Sequence, residues 1–262
     1  MYHYLKLGLL GIIIAISISS CICISPYRET LYQTSTINAL LEGVYDGDIL
    51  FTELAKHGDF GIGTFNALDG EMIAVSGKFY QVKADGKVYP VSGTMHTPFA
   101  VVTYFGANTT LSIRTTMDFQ QLEQYLDTII PTPNIFYAVK IDGRFAYLKT
   151  RSVPKQTPPY LPLAEVVKSQ PVFELRQVNG TIVGFWVPAY AQGINVPGYH
   201  FHFISDDRTA GGHLLDCQLQ SGTITLDYTP ELYLVLPQTS AFYHTQLIKN
   251  NRAELDKVEK SH

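Results

Sequence analysis

Gly198-Tyr199-His200-Phe201-His202-Phe203-Ile204-Ser205-Asp206-Asp207-Arg208-Thr209-Ala210-Gly211-Gly212-His213 is a strand, a turn and the start of a second strand. Aromatic and β-branched residues fill its first part, and turn-forming residues crowd Asp206 to Gly212. Side chains on a strand alternate faces, so His200 and His202 project together, roughly 7 Å apart by Cα. The chain reverses through the turn, and His213 returns on the neighbouring strand facing the first two. Three imidazoles from two adjacent strands form an open-sided site for a metal ion that leaves room for water or substrate. Neutral imidazoles suit zinc among the divalent metals. The other histidines, His3, His57, His96, His244 and His262, show no such grouping.

Outward from this hairpin the chain reads as strand-rich with a few short helices. Residues 60–91 form a meander punctuated by Asp69-Gly70, Ser76-Gly77 and Asp85-Gly86. Strands are predicted at 98–104 and 110–114. Ile135–Lys140 and Arg144–Thr150 pair as a hairpin about Asp142-Gly143, and 172–236 is strand-rich with breaks at Asn179-Gly180 and Ser221-Gly222. Ser35 or Thr36 caps a helix carrying Ile37, Leu40, Leu41 and Val44 on one face and ending near Asp46-Gly47. Further helices are predicted at 52–57, 118–129, 163–169 and 251–260. Pro154 to Pro162 holds four prolines and no apolar periodicity, and reads as a linker between two halves. The expected fold is therefore β-rich α+β. An N-terminal domain at 27–153 and a C-terminal metal-binding domain at 163–262 are joined by the linker 154–162.

Composition bounds the function. The 262 residues include 46% apolar and only 16% charged residues, which suits a globular enzyme and excludes disorder. The net charge is −4 with no basic run, so nucleic acid is not an expected partner. Residues 1–26 read as an export segment: a short basic start, an apolar stretch from Leu7 to Ile18, then Ser19-Ser20-Cys21. A lipid on Cys21 would make the protein an anchored lipoprotein. An uncleaved membrane anchor running to Ile24 is the alternative. Beyond that segment Cys217 is the sole thiol, expected as a small buried residue rather than a nucleophile.

Glu71, after the Asp69-Gly70 turn, and Arg151, ending a strand, are candidate acid and carboxylate fork, although composition alone would select neither. Three long segments join the histidine run from Gly198 to Cys217 in a pattern that resembles the α-acetolactate decarboxylases. They are Tyr32 to Asp48 (YQTSTINALLEGVYDGD), His57 to Met72 (HGDFGIGTFNALDGEM) and Leu148 to Pro154 (LKTRSVP). The resemblance runs from about Leu31 to Glu259. It implies two β-rich domains with the metal site between them, a homodimer, and zinc on His200, His202 and His213. It also implies a catalytic Glu71, an Arg151 that binds and orients substrate, and a tail glutamate at the metal. Glu259 is the best match for that glutamate and Glu254 its competitor; Thr64 lines the pocket. The implied reaction is decarboxylation of 2-acetolactate to acetoin. The histidine pattern alone also fits a cupin-like metal oxygenase, although Ser205, Asp206 and Asp207 stand where such sites carry a glutamate. A non-catalytic surface lipoprotein that binds a metal or ligand is the third reading.

Overall fold

Local hydrogen-bonding chemistry sets most of the elements. A computed structural model describes residues 29–248 and 252–259, so the expected export segment and Cys21 lie outside the described residues. In chain order the strands are β1 (Thr30–Thr34), β2 (Ile49–Leu50), β3 (Phe60–Thr64), β4 (Glu71–Val75), β5 (Lys78–Val82), β6 (Val88–Pro90), β7 (His96–Thr97), β8 (Ala100–Thr103), β9 (Thr109–Ile113), β10 (Met117–Asp118), β11 (Phe136–Arg151), β12 (Val172–Val187), β13 (Gly198–Ser205), β14 (Gly211–Thr229) and β15 (Glu231–Val235). The helices are α1 (Ile37–Leu41), α2 (Phe51–Leu54), α3 (Phe119–Ile129), α4 (Leu163–Val166), α5 (Ser240–His244) and α6 (Arg252–Glu259). Thr36 caps α1 by accepting from the Ala39 amide at 3.2 Å, and Gly43, at φ +88°, follows its end, earlier than the sequence suggested. Asp118 and Gln121 form a capping box on α3, which buries Leu122 and Leu126.

Two large sheets hold most of the strands, and β2 pairs with β7 as a separate two-stranded sheet. The first runs β15-β1-β8-β3-β4-β5-β6 and holds the predicted meander. Ser76 and Gly77 both take positive φ, which is what a two-residue hairpin loop requires. The second runs β10-β14-β11-β12-β13, with β9 also on β14. β13 pairs with β14 as well, so β11, β12, β13 and β14 close a ring at one end. One face of the second sheet packs on β3 and β4. The shared core includes Ile62 and Val75 from one sheet and Val183, Phe185 and Ile204 from the other.

Two expectations need correction. Asp142-Gly143, Asn179-Gly180 and Ser221-Gly222 are not turns; all three lie inside long unbroken strands. Gly143 pairs with Gly180 on one side and Gly222 on the other, and none of the three has positive φ. Their use is close approach. A Cβ on Gly180 would fall 2.5 Å from the Ile204 carbonyl oxygen and the Phe203 ring. One on Gly222 would fall 2.5 Å from the Asp142 carbonyl oxygen. A register shift follows directly, between Arg144 and Phe145. The second correction concerns 154–162, which does not separate the sheets. β9, β10 and β11 precede it yet belong to the second sheet, and β15 follows it yet pairs parallel with β1 in the first. Backbone pairing across the whole chain overrides the prolines' punctuation.

Cys217 is buried in the second sheet's other core, against neighbours such as Leu148 and Leu219. Burial pushes its thiol far above the ordinary range.

Candidate metal centre and active site

Sheet register assembles the site. The β13–β14 turn is tied by Ser205, whose hydroxyl donates to Asp207 at 2.6 Å and accepts from the Thr209 and Ala210 amides. This sets His213 opposite His202, and Arg151 on β11 opposite His213. A single row across three strands therefore reads Arg151, His213, His202, with His200 two residues along on the same face. Gly212 lets the backbones meet, because a Cβ there would lie 2.3 Å from the Arg151 carbonyl oxygen.

The ligand nitrogens of His200, His202 and His213 lie within 4.8 Å of one another, and all three side chains are buried. His202 Nδ1 lies 2.9 Å from the Met72 carbonyl oxygen. Donation to that oxygen fixes the tautomer and leaves Nε2 as the free electron pair. His200 Nε2 and His213 Nδ1 are 3.2 Å apart. Burial, then the Arg151 charge, holds His200 down to about 3. Burial likewise keeps His202 and His213 well below the usual histidine range. Three imidazoles that stay neutral and converge within one ion's reach are the donor set a divalent cation needs, so this cluster can hold a metal.

Two carboxylates approach from opposite ends of the sequence. Glu71 opens β4 directly after Gly70, where φ is +90° and a Cβ would strike the Val82 carbonyl oxygen at 2.2 Å. Its Oε1 accepts from Arg151 Nη1 at 3.1 Å, and its Oε2 lies 3.6 Å from His202 Nε2. Glu259 ends α6, which docks through Leu255 and Val258. Its Oε2 lies 3.5 Å from His200 Nε2 and 3.7 Å from His213 Nε2, and has no hydrogen-bond partner. A buried acceptor without a donor, facing two imidazoles, fits a site that takes a cation. Glu254 is exposed on the same helix. Burial pushes both Glu71 and Glu259 up to about 7, against the pull of Arg151.

Arg151 is almost fully buried. Nη1 donates to Glu71 and Nη2 donates to the Val258 carbonyl at 3.2 Å, near the C-terminal end of α6 where a cation is favoured. Its Nε is buried without a partner. Thr64 stands opposite Glu71 in the sheet and donates its hydroxyl to the Gly70 carbonyl at 2.7 Å, bracing the turn that presents Glu71. Thr64, Glu71, Arg151, the three histidines and Glu259 all line one cavity of about 40 Å³. A second cavity, of about 160 Å³, also reaches His200, His213 and Glu259, between Phe119, Tyr199 and Arg252. The Met72 and Val258 carbonyls have no sequence signal, since any residue supplies a carbonyl.

Fold and site together define a β-rich protein whose buried three-histidine cluster, able to hold one metal ion, shares a small cavity with a carboxyl–guanidinium pair. The family profile described as alpha-acetolactate decarboxylase matches residues 31–249. The alpha-acetolactate decarboxylase of Methanosarcina mazei is 53% identical over 232 residues, covering 88% of this chain and 81% of the relative. That of Methylococcus capsulatus is 46% identical over 229 residues, covering 87% and 88%. The crystal structure of alpha-acetolactate decarboxylase from Bacillus subtilis strain 168 superposes with a TM-score of 0.86 at 43% identity, covering 88% of this chain and 99% of that one. This chain belongs to the alpha-acetolactate decarboxylase family. That membership does not favour the oxygenase or the non-catalytic reading.

Proposed function

We propose that the protein decarboxylates 2-acetolactate to acetoin at the cavity described above, with zinc as the resident metal on His200, His202 and His213. The observation that carries this reading is the convergence of Glu71, Arg151 and the three histidines on one small buried space. When bound, the zinc ion supplies a Lewis acid for the negative charge that builds on the substrate oxygens.

The chain's own groups do the rest. Arg151 takes the substrate carboxylate through its unengaged Nε side, since Glu71 and Val258 already hold Nη1 and Nη2. That contact orients the bond to be broken, and tight ground-state binding alone would not raise the rate. As CO2 leaves, the electron pair of the broken C–C bond passes to the adjacent carbonyl and gives an enediolate. Glu71 then delivers a proton to carbon and regains one from solvent. A carboxyl raised to about 7 is held in part as the acid near neutral pH, as this step requires. Glu259 faces the histidines from the other side and assists, directly or through a water. Burial of the pair keeps bulk water from the reacting carbon.

The test is acetoin formation from racemic acetolactate by a chain starting near Tyr27, before and after chelation and with zinc restored. Loss and return of activity supports the reading. Folded, metal-loaded protein that makes no acetoin rejects it. Export through residues 1–26, with a lipid on Cys21 or an uncleaved anchor, and a homodimer complete the proposal and rest on the sequence. Fractionation of expressing cells and sedimentation of the purified chain test them.

A further inference from the structure

Glu71 and Arg151 stand 80 positions apart and belong to different sheets, Glu71 to β4 of the first and Arg151 to β11 of the second. The sheets meet through apolar side chains such as Ile62, Val75, Val183 and Phe185. Apolar packing is non-directional, so it joins the sheets without aligning particular groups across the seam. Hydrogen bonds depend steeply on distance and angle and can align them. Two cross the seam beside Glu71. On one side, His202 Nδ1 meets the carbonyl of Met72, the residue after Glu71. On the other, the Ser152 hydroxyl donates at 2.7 Å to the carbonyl of Val82, the cross-strand partner of Glu71. Ser152 directly follows Arg151 and is fully buried, and its amide donates to the Pro171 carbonyl at 3.3 Å. Gly70, the residue before Glu71, packs on the same Val82 oxygen. One carbonyl thus touches the neighbour of the acid and the neighbour of the arginine. The turn before Glu71 has a further brace: the buried Gln81 donates from Nε2 to the Asp69 carbonyl at 2.6 Å.

We propose that Ser152 and Gln81 are positioning residues for the reaction. Ser152 fixes Arg151 against the Glu71 hairpin through the Val82 carbonyl, and Gln81 fixes the turn that aims Glu71. The inference rests on the decarboxylase reading above. Neither side chain lines the site cavity, so each acts through another residue. The carboxylate held by Arg151 and the carbon protonated by Glu71 belong to one small substrate, so the two groups must keep a matching separation. A misplacement of about 1 Å at such groups can cost on the order of 10²-fold in rate.

The experiment measures kcat, KM and metal content of the full zinc-loaded chain with acetolactate. Ser152→Ala should lower kcat by about 10-fold or more, with KM within about 3-fold and metal content unchanged. On an Arg151→Lys background, where the fork is already lost, Ser152→Ala should cost less than about 3-fold more, because residues that act as a unit are not additive. Gln81→Met, which keeps the stem and removes the donor, should behave likewise and carries the test if Ser152→Ala does not fold. Thr181→Val also removes a buried hydroxyl, one that donates to Asp142 Oδ1, but it lines neither cavity and should leave kcat near wild type. Folded Ser152→Ala and Gln81→Met proteins with kcat within about two-fold of wild type overturn the positioning role while the decarboxylase reading stands. A loss that multiplies in full on the Arg151→Lys background overturns it too, since a purely structural effect is additive. A wild type that makes no acetoin rejects the decarboxylase reading and the positioning role with it.

Discussion

The second sheet is built differently at two places along β11 and β14. Around Gly143, Gly180 and Gly222, the strands meet through residues with no side chain. Around Arg151, His213 and His202, they meet through the most chemically loaded side chains in the protein. The glycine row exists so that backbones and rings can crowd, and it needs nothing from solvent or ligand. The histidine row buries three imidazoles, a guanidinium and two carboxyls, and leaves the Arg151 Nε and the Glu259 Oε2 without partners. One region is closed by packing alone, while the other keeps two buried polar atoms unpaired beside a cluster that can hold a metal ion. Substitutions in the first should therefore change stability, and substitutions in the second should change chemistry.

The largest expected effect is at the histidines. His200→Ala should lose metal and lower kcat by on the order of 10³-fold or more. Glu71→Gln should retain metal, since Glu71 lies beside the ligands rather than among them, yet lose about 10²–10⁴-fold in kcat. A rate within a few-fold of wild type would end its role as proton donor. Arg151→Lys keeps the buried charge opposite Glu71 and so avoids the larger penalty of an unpaired carboxylate. It should still lose about 10²-fold in kcat/KM, because an ammonium cannot reproduce a planar fork that holds Glu71, Val258 and a substrate carboxylate together. The smallest catalytic effect belongs to the glycine row. Gly180→Ala should lower stability by about 1–3 kcal/mol through overpacking against Phe203. Thermal unfolding would report this as about 2–4 °C per kcal/mol, with kcat near wild type in the molecules that remain folded. A strong kcat loss without a fall in Tm would show that the two regions are coupled and break the comparison.

The same contrast explains what could be read from the sequence. The α1 cap at Ser35 or Thr36, the helix from Asp118, the meander turns and the histidine hairpin were legible because each is settled by residues within a few positions of one another. The glycine row was not. Asp-Gly, Asn-Gly and Ser-Gly signal a tight turn when the flanking segments pair with each other. Here they mark a close approach, because distant strands press on them, and that information lies tens of residues away. The supposed linker failed for the same reason: four prolines interrupt local structure but do not prevent β11 from pairing with β12 and β14. At the site, alternation alone brought the histidines together. Glu71, Arg151 and Glu259 converge only through tertiary packing, and residue chemistry could not have selected them among the protein's other carboxyls and arginines without the family resemblance.

The central claim is that His200, His202 and His213 hold the metal on which turnover depends. Its most direct test measures metal content and acetoin formation on the same samples of wild type, His202→Ala and Glu71→Gln. The account predicts about one metal ion per wild-type chain by the three-ligand rule. It predicts loss of metal and product together in His202→Ala, and metal without product in Glu71→Gln. A His202→Ala protein that still forms acetoin at the wild-type rate, or that binds metal undiminished, would contradict it.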